Sequence, residues 1–262
     1  MDNPGDAYSP LEIARRVRQT GTTKANLGFV PTMVLAILAG AFISFGALLY
    51  TIVITDSPFG YGPTQWLGGI SFSLGLVLVI VAGAELFTGN NLIIMAWASK
   101  QVSTGQVARN WGIVYVGNMI GAVATAWLVY QSGVFQDNQL VLDKIIGIGD
   151  SKTRIDFVEA FFRGLLCNVL VCMAVWLCMA AHSVSSKILA IIFPISAFVA
   201  AGFEHSVANM YFIPLAALSG SETITYYNFM MNLIPVTLGN IVGGSVMVAM
   251  VYWLCYLQSP ES

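Results

Sequence analysis

Charge is scarce in this chain of 262 residues: Lys, Arg, Asp and Glu together make up 9% of it, against 57% hydrophobic residues and a mean hydropathy of +0.77. A soluble domain carries about 25% charged residues, so the scarcity excludes a water-soluble globule and points to a polytopic membrane protein. The 11 basic and 13 acidic residues nearly cancel, leaving no basic stripe for a nucleic-acid groove. There are two histidines, His182 and His205, and only His205 lies deep in an apolar stretch; paired haem ligands are therefore excluded. Four cysteines, Cys167, Cys172, Cys178 and Cys255, form no CxxC pair and lie in apolar stretches. They read as small buried hydrophobes, with no metal or cofactor set among them. The polar start, with Asp2 and Asp6, lacks the basic-then-apolar order of a secretory signal peptide.

What the chain does have is long apolar runs, each near the 20 residues that cross a bilayer. The first runs from Phe29 to Thr55 and the second from Leu67 to Ser99. The third lies near Trp111–Tyr130 and the fourth near Phe157–Ala181. The fifth runs from Ile188 to Leu218, and the sixth lies near Phe229–Leu257. The second and fifth are interrupted by polar residues, Glu85-Leu86-Phe87-Thr88-Gly89-Asn90 and Glu204-His205-Ser206-Val207-Ala208-Asn209. An unbroken helix would bury Glu and Asn without partners, so each of these spans is expected to be two half-helices meeting at a loop that lines a cavity.

The interruptions repeat. Glu85 and Asn90 match Glu204 and Asn209 at an offset of 119, and Asn110 and Asn118 match Asn232 and Asn240 at 122. With three spans in each half, the second half enters from the opposite side, so the repeat is inverted, an architecture of transporters and channels. The expected fold is an all-α membrane protein with six transmembrane helices in an inverted 3+3 repeat, the second and fifth broken. Residues 1–28 form a cytoplasmic amphipathic segment, 29–257 the channel domain with halves at about 29–131 and 157–257, and 258–262 a cytoplasmic tail.

Short-loop charges set the orientation. Arg15, Arg16, Arg18, Lys24, Lys100, Arg109 and Lys187 fall on one side; only Lys144, Lys152 and Arg154 fall on the other, among Asp137, Asp143, Asp150 and Asp156. Seven against three places both termini in the cytoplasm. Ser9-Pro10-Leu11-Glu12 reads as a capping box with proline at the first helical position. Leu11, Ile13, Ala14 and Val17 form an apolar side of that helix and the arginines lie outside it, as in an interfacial helix on anionic headgroups. Its expected role is to anchor the fold rather than to gate it.

Half-helices beginning near Asn90 and Asn209 point free N–H groups at mid-membrane, where negative charge is favoured. Asn90 and Asn209 are expected as N-caps, and Glu85 and Glu204 as acceptors for loop backbone. His205 is an ionisable group at depth, a functional candidate by default. Thr88 occupies the first break near the position opposite it, so the two would bracket a small polar solute.

Ala84-Glu85-Leu86-Phe87-Thr88-Gly89, Asn110-Trp111 with Gly117-Asn118, Gly202-Phe203-Glu204-His205-Ser206-Val207-Ala208-Asn209-Met210 and Asn232-Leu233-Ile234-Pro235-Val236-Thr237-Leu238-Gly239-Asn240 resemble the formate/nitrite transporter family. The resemblance runs in order over nearly the whole chain. It implies an aquaporin-like protomer in a homopentamer, multi-pass in a bacterial-type inner membrane. One pore per subunit would pass small monovalent anions or their acids, such as formate, nitrite or hydrosulfide. By matching residues, His205 resembles the central pore histidine and Thr88 its partner. Leu76, Leu86 and Val171 resemble one apolar constriction, and Phe72, Phe87 and Phe198 another, nearer the outside. Asn168 and Asn240 resemble polar positions near the pore, and Lys152 a vestibule lysine that draws anions in.

A bare anion crosses a dry apolar ring only at a cost of many kcal/mol. His205 therefore either lends a proton, so that a neutral acid crosses, or hydrogen-bonds the anion; the residues leave both open. A neutral-solute pore of the aquaporin type would carry Asn-Pro-Ala boxes, and neither break contains proline. An intramembrane enzyme using Glu204 and His205 lacks a paired nucleophile or metal-ligand set. Formate is the expected substrate, with nitrite or hydrosulfide as alternatives and no cofactor.

Overall fold

The computed structural model describes residues 7–258; Asp2, Asp6 and residues 259–262 of the expected tail lie outside them. Helix α1 (Pro10–Ala25) is followed by α2 (Phe29–Ile54) and α3 (Tyr61–Val77). The α3 helix widens into a π-turn over Leu78–Gly83; the first break follows, then a 3-10 turn over Gly89–Ile93 and a short α4 (Ile94–Ala98). Next come α5 (Thr104–Gln131), α6 (Gln139–Thr153), α7 (Phe157–Ala180), α8 (Val184–Ala200), the second break and α9 (Ser206–Leu218). The chain ends in α10 (Tyr226–Val242), a π-helical stretch over Gly243–Met250 and α11 (Val251–Tyr256). No strand occurs among the described residues.

Local sequence signals account for the helix starts. Ser9 and Glu12 form the expected capping box, with the Glu12 side chain accepting from the Ser9 backbone N–H at 2.9 Å. That backbone N–H, and then the Ser9 hydroxyl, hold the Glu12 carboxyl below its usual range. Ser103 with Gln106 and Thr225 with Asn228 repeat the device on α5 and α10, and the Asp156 carboxylate caps α7.

The six expected crossings are present. Five stretches are long and apolar enough to span a membrane, and the fifth crossing is divided between the shorter apolar helices α8 and α9. The segment before Asp156 forms helix α6. Cys255 is exposed rather than buried, because α11 lies at the bundle's edge with no buried residue of its own. Leu11 is likewise exposed, while Ile13, Ala14 and Val17 pack inward. The apolar face of α1 is thus spent on the protein. Ile13, Ala14 and Val17 join Leu92, Met95, Val175, Trp176 and Val248 in one cluster.

Helix α6 completes the repeat. Buried Ile13, Val17 and Gly21 of α1 correspond, 128 residues on, to buried Val141, Ile145 and Gly149 of α6. Each repeat is therefore an amphipathic helix followed by three crossings. Packing inside the repeats matches too. A Cβ on Gly121 would meet the Ile37 carbonyl oxygen at 2.0 Å, and one on Gly243 the Leu165 carbonyl oxygen at 2.2 Å. The first and third crossings of each half touch backbone to backbone at these positions, which only glycine permits.

Candidate functional site

The two breaks are held by the same hydrogen-bond network, built twice. In the first, Glu85 takes Lys24 Nζ on Oε1 at 2.8 Å and Asn90 Nδ2 on Oε2 at 2.6 Å. Asn90 Nδ2 also reaches Asn110 Oδ1 at 3.0 Å, and Asn110 Nδ2 returns to the Lys24 carbonyl at 3.1 Å. In the second, Glu204 takes Lys152 Nζ at 2.8 Å and Asn209 Nδ2 at 2.7 Å. Asn209 Nδ2 reaches Asn232 Oδ1 at 2.7 Å, and Asn232 Nδ2 donates to the Lys152 carbonyl at 2.8 Å. Asn118 and Asn240 then fix the loop tips. Asn118 Oδ1 accepts from Phe87 N–H at 2.9 Å and Asn240 Oδ1 from Ser206 N–H at 3.0 Å, while their amides donate to the Glu85 and Glu204 carbonyls.

This geometry corrects two expectations. Asn90 and Asn209 do not cap helices: Asn209 lies inside α9, whose N-cap is His205, and both asparagines bridge a carboxylate to a second asparagine. The carboxylate side chains of Glu85 and Glu204 accept from lysine and asparagine side chains rather than from loop backbone. A buried carboxylate needs a counter-charge more than it needs another neutral donor.

Thr88 and His205 meet directly. Thr88 Oγ1 lies 2.9 Å from His205 Nε2, and both residues are buried. His205 Nδ1 accepts from the Ala208 backbone N–H at 3.1 Å, closing the first turn of α9. That bond assigns the tautomer: Nδ1 is bare, so the neutral ring carries its proton on Nε2, toward Thr88. The Phe198 ring stacks on the imidazole with centroids 6.1 Å apart. By repeat register the two residues are not counterparts, since His205 corresponds to Leu86 and Thr88 to Val207. Each loop contributes its polar group from a different position.

On either side of this pair is a cavity. One, of about 380 Å³, is lined by Tyr50, Phe72, Lys152, Phe198, Glu204 and His205 among others. The other, of about 70 Å³, is lined by Val17, Lys24, Leu76, Leu86, Gly89 and Asn90 among others. The sequence-expected rings fall accordingly: Leu76 and Leu86 on the Lys24 side, Phe72 and Phe198 on the Lys152 side, their rings edge to face at 5.7 Å. Phe87 does not join them; it turns onto Trp111 and Tyr115, at 6.2 and 4.9 Å. Val171 is buried in the core.

Asn168 ties the halves together, its Nδ2 within 2.6–3.3 Å of the Asn240 carbonyl, Asn91 Oδ1 and the Thr88 carbonyl. Lys152 is not a free vestibule charge, because Glu204 neutralises it. From sequence Lys24 counts only as an orientation charge, although its 128-residue match to Lys152 marks the two as counterparts.

Comparison with known proteins agrees with this architecture. A family model described as formate/nitrite transporter matches residues 11–254. The chain is 38% identical to the formate channel FocA of Escherichia coli K12, with 99% of this chain and 98% of that protein covered. A solved structure described as a pentameric formate channel with formate bound superposes with a TM-score of 0.81 at 40% identity, covering 88% of this chain and 98% of that one. An aquaglyceroporin from Plasmodium falciparum, at 14% identity and a TM-score of 0.55 over 87% of this chain and 100% of its own, shares the fold alone.

Proposed function

The chain belongs to the formate/nitrite transporter family, and from that premise we propose that each protomer conducts formate between its two cavities past Thr88 and His205. The observation that carries this is the Thr88–His205 hydrogen bond, with one cavity lined by His205 and the other by Leu86 and Gly89, the residues flanking Phe87 and Thr88. Formate is preferred because the FocA relative and the superposed pentamer are both formate channels.

Lining the route with Leu76, Leu86, Phe72 and Phe198 excludes bulk water. A polar solute then crosses only where hydrogen-bond donors replace its hydration. His205 Nε2–H is such a donor, and Thr88, which rotates freely about its Cβ–Oγ1 bond, is the second. Of the two roles open to His205, hydrogen-bond donation fits the geometry better. Lending a proton first requires one on Nδ1, at the expense of the Ala208 bond that caps α9.

In proteoliposomes, formate flux through His205→Phe is expected to fall about 5- to 150-fold, since a lost donor at a buried polar centre costs about 1–3 kcal/mol. The pH dependence of the residual flux should follow formate's own protonation. Unchanged rate and unchanged pH profile would overturn the role of His205.

The assembly is proposed as a homopentamer in a bacterial-type inner membrane. The face carrying α1 gathers Arg15, Arg16, Arg18, Lys24, Lys100, Arg109 and Lys187 and is assigned to the cytoplasm by the positive-inside rule.

A further inference from the structure

The two mouths differ at one repeat-related position, and we propose that Arg163 makes the Lys152-side mouth a selective entry site for planar two-oxygen anions, an inference that rests on the transport reading above. The repeat identifies the position. The Leu35 carbonyl accepts from Glu85 N–H at 3.2 Å, and the Arg163 carbonyl accepts from Glu204 N–H at 3.3 Å. Equivalent places therefore carry leucine on one side and arginine on the other.

Arg163 lines the 380 Å³ cavity together with Lys152, Glu204 and His205. Lys152 and Glu204 pair at 2.8 Å and offset one another within the lining, whereas the partner of Arg163, Glu159, lies outside the lining of this cavity. Its Nη1 donates to the Gly202 carbonyl at 3.4 Å, which holds the guanidinium beside the loop that runs on to His205 three residues later. Its Nη2 pairs with Glu159, and the two side chains are 40% and 46% exposed. An exposed pair of this kind contributes little, so an incoming anion displaces Glu159 at small cost. Two of the five guanidinium N–H donors have protein partners here. The fork matches an O–C–O or O–N–O edge through two parallel bonds, which a spherical anion cannot accept. An anion captured there is in the cavity that His205 also lines, whereas the Leu35 side offers no such fork.

The test uses full-length protein in proteoliposomes of known orientation, loaded from one side at a time with formate or chloride. The readout is the ratio of half-saturation concentrations from the two sides. Wild type should saturate at lower formate from the Lys152 side. Arg163→Leu, which copies Leu35, should raise that side's half-saturation about 2- to 5-fold, the size of an exposed charge interaction, and leave the other side unchanged. High salt should mimic the substitution. Arg163→Lys should keep the sidedness but lose preference for formate over chloride. Glu159→Gln, which frees the guanidinium, should lower the half-saturation and decides the matter if Arg163→Leu fails to assemble. An unmoved ratio, or an equal change from both sides, overturns the assignment. Wild-type protein that carries no formate overturns the transport reading instead.

Discussion

Lys24 and Lys152 occupy matched sites yet sit in unequal surroundings. Their side chains are 26% and 14% exposed, against carboxylates at 8% and 5%. Breaking a buried pair by removing one partner costs about 3–5 kcal/mol, because the remaining charge has no counter-ion, and the cost falls as water reaches the group. Glu204→Gln is therefore expected to lower the thermal unfolding midpoint in detergent by more than Glu85→Gln. Equal losses would show that both charges are solvated alike. Either substitution also leaves Asn90 or Asn209 without its carboxylate acceptor, so both should loosen the loop that presents Thr88 or His205.

Among the helices, α1 and α6 do the same work at opposite ends. Each carries a lysine near its C-terminus to a break carboxylate and seats a glycine against the half-helix beyond the break. The fit differs in tightness. A Cβ on Gly149 would stand 2.3 Å from the Ala216 Cβ, whereas one on Gly21 would stand 3.2 Å from Ile93 Cα and 3.3 Å from Ala96 Cβ. Overpacking of the first kind costs about 1–3 kcal/mol; the second needs shifts of a few tenths of an ångström. Gly149→Ala is expected to destabilise the fold by that amount and to reduce flux by displacing Lys152, while Gly21→Ala stays near wild type. Thermal scans of the two variants beside flux assays check this, and the reverse order would contradict the packing.

As a whole, the molecule leaves broad apolar faces uncovered. Phe29, Val30, Val34 and Phe45 of α2, Val116, Ile120 and Trp127 of α5, and Leu189 and Phe193 of α8 are exposed. Patches this extensive are covered by lipid or by other copies of the chain. Native mass spectrometry from detergent is expected to give five times the 28.2 kDa chain mass; a monomer at all detergent concentrations would refute the pentamer. Within the proposed assembly each protomer has two cavities of similar construction, set apart by Arg163 opposite Leu35 and by His205 opposite Leu86.

Hydropathy alone decided the membrane class, the six crossings and the two interruptions, because the cost of burying polar backbone and charge is local and legible in composition. The Glu–Asn spacings revealed the repeat. Depth in an apolar stretch singled out His205 and the other break supplied Thr88; family resemblance then matched both to pore positions, although exact repeat register does not pair them. Only the folded chain decided what the polar residues do. Lys24 lies 61 residues from Glu85 and Lys152 lies 52 from Glu204, so no spacing rule announces those pairs, and asparagines suited to capping became bridges once a buried carboxylate stood beside them. Helix α6, the turning away of Phe87 and the charge at Arg163 belong to the same class, since each is set by which surfaces meet when the two halves pack.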